Sequence, residues 1–293
     1  MKEFRGTGVA LITPFTKENT VDFEALERLV TYQLNNGIDY LVVQGTTGEP
    51  ATLTANERAE VRKTIVAINN GKLPLVLGIG GNHTQGVLDE IKATDLAGFD
   101  AILSVAPYYN KPTQEGFYQH FKAIAEATSK PIILYNVPGR TAKNVEPNTI
   151  LRLASDFSNI IGVKEAGNDM HQYLQLIKNK PEDFLIISGD DDLVLGVVLA
   201  GGAGVISVIG QAFPKEFSQM IALGLQGKAS EAYQIHYDLM EGIDLIFEEN
   251  NPAGVKALLK KINICETNVR LPLVEASEEL QEKINNFVTN LKN

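Results

Sequence analysis

Eight times along the chain, a short run rich in Val, Ile and Leu alternates with a longer segment whose apolar residues recur at three- and four-residue spacing. The runs lie at 9–12, 40–43, 75–79, 101–105, 132–135, 160–163, 184–187 and 205–209. Near-continuous apolar runs suit parallel strands covered on both faces, because neither face then meets water. The segments between them predict amphipathic helices, as at 23–34, 57–68 and 117–127. Local punctuation agrees with these bounds. Asp22 and Thr54 stand at N-cap positions, Thr54 with Glu57 makes a capping-box pattern, and Gly37, Gly71 and Gly98 stand where helices should stop.

Repeated βα units allow a closed barrel or a doubly wound open sheet. Even spacing favours an α/β fold of the (β/α)₈ TIM-barrel type, and no dinucleotide fingerprint follows the first run. Gly78-Ile79-Gly80-Gly81 comes near one, but His83 stands where the last glycine of G-x-G-x-x-G belongs, so the segment predicts a tight turn. Helical patterning then continues at 215–225, 230–249, 252–262 and 277–291, more than one closing helix requires. The expected division is a catalytic barrel over 1–225 and a C-terminal helical extension over 226–293.

A net charge of −10 at pH 7 repels nucleic acid and anionic membrane surfaces, while leaving room for a small anion held by a local cation. Residues 1–6 lack the apolar stretch of a leader, and no run approaches the roughly 20 apolar residues of a membrane span. The single Cys265 excludes an internal disulfide, and four scattered histidines show no zinc-ligand spacing. The expectation is a cytoplasmic protein without metal, membrane or nucleic-acid partner.

Barrel enzymes carry their chemistry at the C-terminal ends of the strands. Lys164 ends the run Ile160-Ile161-Gly162-Val163, where burial favours the free amine that attacks a carbonyl. An ion pair with Glu165 is the first alternative, and period-two alternation opposes it; a lysine snorkelling at the strand end is the second. Tyr135 ends the preceding run, where its phenol could shuttle protons with Thr46 as relay, or serve as a core tyrosine bonded to backbone. Thr46 and Thr47 offer hydroxyl and N–H groups to a carboxylate, or simply cap a turn. Arg140 follows Pro138-Gly139, as a fork for a carboxylate or as a solvated surface group. Asp190-Asp191-Asp192 could hold a cation, but capping of a helix over 193–199 is the better reading.

Gly45-Thr46-Thr47-Gly48-Glu49, Pro107-Tyr108-Tyr109-Asn110, Leu134-Tyr135-Asn136-Val137-Pro138-Gly139-Arg140-Thr141, Val163-Lys164-Glu165-Ala166 and Ser188-Gly189-Asp190-Asp191 together resemble the dihydrodipicolinate synthase family of pyruvate-dependent class I lyases. The similarity runs through the helical extension, with its Asn251-Pro252 and Arg270-Leu271-Pro272. It implies condensation of pyruvate with L-aspartate 4-semialdehyde in lysine and diaminopimelate biosynthesis, with no cofactor. It implies an imine on Lys164 and a proton relay of Tyr135, Thr46 and Tyr109, the last reaching into a neighbouring subunit of a homotetramer built as a dimer of dimers. Thr46 and Thr47 would hold the pyruvate carboxylate and Arg140 that of the semialdehyde, while Gly189 and the Ile206 carbonyl complete the pocket. N-acetylneuraminate lyase and 2-keto-3-deoxy-sugar-acid aldolases share the fold and lysine; the Thr46-Thr47 pair and Arg140 favour the synthase. A barrel that has lost catalysis and serves in binding is disfavoured by retention of the whole set. Members inhibited by lysine bind it with a histidine and a glutamate, among other groups. Arg58 and Gly86 stand at those positions here, so the resemblance implies weak or absent inhibition.

Overall fold

The apolar runs do pair side by side, but at both ends of the barrel the strand differs from the run. The computed structural model describes residues 4–291, so residues 1–3 of the segment read for a leader lie outside it, as do 292–293. Its strands are β1 (Gly6–Ala10), β2 (Tyr40–Val43), β3 (Leu75–Gly78), β4 (Ala101–Val105), β5 (Ile132–Asn136), β6 (Ile160–Glu165), β7 (Leu185–Ser188) and β8 (Gly204–Ser207). All pair in parallel in chain order, and β8 closes on β1 with Gly8 opposite Ile206. β1 begins three residues before its apolar run because a glycine takes an inward place: a Cβ on Gly8 would overlap the Tyr40 ring. Apolar counting cannot see such a strand. At the other end, residues Ile209–Gln211 leave β8 as a 3₁₀ turn.

The helices are α1 (Phe23–Asn35), α2 (Ala55–Asn69), α3 (Thr84–Ala93), α4 (Gln114–Ala127), the single turn α5 (Pro138–Thr141), α6 (Pro147–Asp156), α7 (Met170–Asn179), α8 (Val194–Leu199) and α9 (Pro214–Leu225), followed by α10 (Ala229–Glu248), α11 (Ala253–Lys261) and α12 (Glu278–Leu291). Asp22 accepts from the Ala25 N–H, and Thr54 and Glu57 form the reciprocal capping box. Gly37 and Gly71 follow α1 and α2 with φ of +87° and +70°. Gly98 has a different task. α3 has already ended at Ala93, and a Cβ on Gly98 would lie 2.9 Å from both methyls of Val66, so glycine here lets a loop pack against α2.

One buried layer lies between strands and helices, and a second fills the barrel, where Tyr40, Val76, Leu103, Ile133, Leu185 and Ile206 meet. Phe4 plugs the N-terminal end, edge-on to Tyr40 at 5.5 Å. α10 packs against α8 and α9, α11 and α12 pack against α10 and each other, and Phe213, just before α9, meets Phe287 of α12 at 5.9 Å. The chain before and after α11 returns to the open end of the barrel: Asn251 reaches Thr47, and the Arg270 N–H reaches Glu49. Among the described residues, no helix is long and apolar enough to cross a membrane.

Candidate active site

Strict alternation along β6 from the inward Ile161 would turn Lys164 outward. A bulge reverses this: Ile132 pairs with Ile160 but Ile133 with Gly162, so Ile161 is extra and the phase changes. Gly162 permits the close approach, since a Cβ there would lie 2.7 Å from the Leu185 carbonyl oxygen. Beyond it, Lys164 falls opposite Tyr135. Its side chain points into the barrel with Nζ 4.5 Å from the Tyr135 ring centroid, and only 5% of the residue is exposed. That contact sets the amine against the face of the phenol ring. Gly189, at the end of β7, leaves space for the lysine stem: a Cβ there would sit 2.8 Å from Lys164 Cε.

Glu165 points the other way. Its carboxylate accepts from Asn136 Nδ2 at 2.9 and 3.0 Å and from Gln172 Nε2 at 2.8 Å, which rejects an ion pair with Lys164. Burial pushes its carboxyl up to about 7, against the hydrogen bonds from Asn136 and Gln172. A carboxyl raised on folding stabilises the native state fully below its unfolded value of about 4.3 and loses that contribution as pH rises through 7. The melting temperature of the protein is therefore expected to fall more steeply between about pH 5 and 7.5 than that of Glu165→Gln, whose amide does not titrate. Parallel Tm–pH curves would reject this account.

The acidic run does not cap a helix. α8 starts after Leu193 with no side-chain cap. Instead, Asp190 Oδ2 accepts from the Asn168 N–H at 3.1 Å and the Tyr173 hydroxyl at 3.1 Å, and Asp191 Oδ2 accepts from the N–H groups of Val208 and Ile209 at 3.0 and 2.9 Å. The two side chains thus brace the chain leaving β6 and β8. Burial raises the Asp190 carboxyl to about 6, and Lys164 opposes the rise. Among the described residues, no three His, Cys, Asp or Glu side chains converge as a metal site.

Across the open end lies a cavity of about 470 Å³ whose walls include Thr46, Tyr108, Tyr135, Arg140 and Asn251. Lys164, Thr47, Gly189 and Ile206 do not line it; Lys164 lies against the ring of Tyr135, which does, and Ile206 is buried in β8. Thr46 opens a 3₁₀ turn, Thr46–Gly48, and its side chain is exposed, whereas Thr47 is buried with its Oγ1 accepting from Asn251 Nδ2 at 2.9 Å. Arg140 lies in α5, exposed, with Nη2 3.4 Å from the Asn251 carbonyl oxygen. Tyr109 stands away from the cavity, 88% exposed and with φ of +70°.

Asn251 has a role at the site that the Asn251-Pro252 pair in the sequence does not reveal. It joins Thr47 to Arg140, and nothing local to residue 251 announces partners 204 and 111 residues away. Arg58 also differs from expectation. Its guanidinium meets Glu90 at 3.5 Å, both lining the same cavity, so it is not a free positive charge.

The chain matches the model of the dihydrodipicolinate synthetase family over residues 3–291. It is 58% identical to the 4-hydroxy-tetrahydrodipicolinate synthase of Flavobacterium psychrophilum over 99% of both chains. Among solved structures, the dihydrodipicolinate synthase of Thermotoga maritima superimposes with a TM-score of 0.96 at 41% identity, covering 99% of each chain. The enzyme from Cyanidioschyzon merolae, solved with lysine bound, superimposes with a TM-score of 0.95 at 34% identity, again over 99% of each.

Proposed function

The chain belongs to the dihydrodipicolinate synthetase family of lyases, and we propose that it condenses pyruvate with L-aspartate 4-semialdehyde through an imine on Lys164, giving 4-hydroxy-tetrahydrodipicolinate. The observation that carries this reading is the bulge in β6, which turns a buried lysine inward against Tyr135. The Lys164 amine attacks the ketone carbon of pyruvate and water leaves, forming a protonated imine. That imine draws electrons from the neighbouring methyl, which loses a proton and becomes an enamine. The enamine carbon then attacks the aldehyde carbon, the aldehyde oxygen takes up a proton, and the amino group brought by the semialdehyde attacks the re-formed imine carbon, displacing the Lys164 amine and closing the ring. Tyr135, Thr46 and Tyr109 relay these protons; Thr46 and Thr47 hold the pyruvate carboxylate, Arg140 holds that of the semialdehyde, and Gly189 and the Ile206 carbonyl complete the pocket. No metal or cofactor takes part in this scheme.

The relatives carry the synthase name, which favours this substrate pair over N-acetylneuraminate or a 2-keto-3-deoxy-sugar acid. A non-catalytic binding role leaves a buried lysine beside a buried phenol without a purpose. Coupled assays with the three substrates decide between them: turnover is expected with pyruvate and the semialdehyde, and faster cleavage of either sugar acid overturns the reading.

We place the protein in the cytoplasm as a homotetramer, a dimer of dimers, with 1–225 as catalytic barrel and 226–293 as helical extension. The 88% exposure of Tyr109 supports the assembly, because a relay residue that misses its own cavity must serve another. Tyr109→Phe and Lys164→Ala subunits, each inactive alone, are expected to regain part of the activity once mixed, since one site in a hybrid holds both native residues. Hybrids that stay inactive after demonstrated subunit exchange count against the shared site.

Inhibition by L-lysine is expected to be weak. Gly86 offers no carboxylate to an ammonium, and Glu90 is already engaged by Arg58. Loss of one partner from a desolvated charge pair costs about 2–5 kcal/mol, roughly 30-fold or more in affinity. A lysine titration at sub-saturating pyruvate checks this, and half-inhibition well below millimolar contradicts it.

A further inference from the structure

The turn that carries Thr46 and Thr47 ends at Glu49, where two 3₁₀ turns meet, Thr46–Gly48 and Pro50–Thr52. Glu49 has φ of +52°, a left-handed conformation that a side chain disfavours, so this corner persists only if its surroundings hold it. They do so from the far end of the chain. Glu49 Oε1 accepts from Lys256 Nζ at 2.6 Å, and the two side chains are 2% and 0% exposed. Oε2 accepts from the Arg270 N–H at 3.1 Å. Lys256 also donates to the Asn268 carbonyl at 2.8 Å and lies 4.3 Å from the Phe15 ring centroid. The Arg270 guanidinium donates to the Thr52 carbonyl at 2.8 Å and pairs with Glu57, whose capping box starts α2.

A buried ion pair adds little net stability, because desolvation offsets most of the attraction; what it supplies is one geometry in preference to others. Here the fixed geometry is that of the turn bearing both threonines. We propose that the Glu49–Lys256 pair is a positioning device for the pyruvate-carboxylate site, through which the C-terminal extension locks the Thr46–Gly48 turn from behind. The proposal rests on the pyruvate reading above. Neither residue is catalytic; both act through Thr46 and Thr47, and Asn251 adds a second tie at the Thr47 hydroxyl.

Removing one partner leaves a buried charge and endangers folding, so the informative variant is the double substitution Glu49→Gln/Lys256→Met, which removes both charges at similar volume. In the intact, unliganded protein, the hydrogen-bonded amides of Gly48, Glu49, Thr52 and Leu53 are expected to exchange at least about tenfold faster than in the parent, while those of β5 keep the parent rate. The pyruvate concentration for half-maximal borohydride trapping on Lys164 should rise about tenfold, with the maximal adduct little changed. Lys260→Ala, which breaks the exposed Lys260–Glu266 pair, is the control expected to alter neither. The exchange measurement needs no substrate. It therefore decides the positioning claim even if the parent traps no pyruvate, a result that would remove the functional reading instead. Unchanged exchange of these turn amides in the folded double variant overturns the proposal. So does an unchanged pyruvate dependence where the parent traps pyruvate. If the double variant does not fold, Glu49→Asp is measured in the same way. The shorter carboxylate keeps the charge but loosens the tie, and the same two shifts are expected in smaller measure; their absence in folded protein overturns the proposal equally.

Discussion

Lys164→Ala is expected to reduce condensation by on the order of a thousandfold or more, because a scheme through a covalent imine has no second nucleophile to fall back on. The parent protein, treated with borohydride in the presence of pyruvate, should gain one reduced pyruvate adduct, and peptide mapping should place it on Lys164. The substitution is tolerable in the fold: the lysine sits against the Tyr135 ring, not in an ion pair with Glu165, so alanine deprives no carboxylate of a bonded partner. It does remove a positive charge that lowers the Asp190 and Asp191 carboxyls, and a melting curve should accompany the kinetics. An adduct on another lysine, or activity kept by a folded Lys164→Ala, would end the mechanism.

Arg140→Ala should produce the second largest loss, and on the second substrate. A guanidinium fork to a carboxylate makes two charge-assisted bonds of about 1.5–3 kcal/mol each, so kcat/KM for the semialdehyde should fall roughly a hundredfold or more. Arg140 is exposed at the cavity wall, whereas Lys164 is buried against the Tyr135 ring, and this difference supports the division of labour. Trapping of pyruvate should accordingly change little. Loss of the pyruvate adduct with semialdehyde kinetics intact would assign Arg140 to the other substrate. Its bond to the Asn251 carbonyl is long, 3.4 Å, so the arginine is not locked in place before a ligand arrives.

Local order in the sequence specified the repeating unit and its direction. Short runs of Val, Ile and Leu suit strands hidden on both faces, and the Asp22 and Thr54 caps set helix starts because they act within one turn. Even spacing of those units favoured the barrel over an open sheet, and the barrel sets the rule that chemistry lies at strand ends, where Lys164, Tyr135, Thr46 and Arg140 stand. The Asp190–Asp192 run was legible as structural but not in its partners. Its side chains reach backbone N–H groups at 168, 208 and 209, and helix capping is merely the nearest use of such residues in sequence.

What only the tertiary structure decided was direction and distance. Whether Lys164 faces the barrel or the helices depends on one extra residue in β6, and a bulge is invisible to alternation because it is a break in alternation. Glu165 fell on the opposite face for the same reason and found Asn136 and Gln172. The ties between the threonine turn and the extension span 204 residues at Thr47–Asn251 and 207 at Glu49–Lys256. Periodicity, propensity and capping act over one or two turns and carry no term for such pairs. Only closing the barrel and folding the last helices back over its mouth brings those groups within bonding distance, and burial there makes an unpaired charge too costly to leave alone.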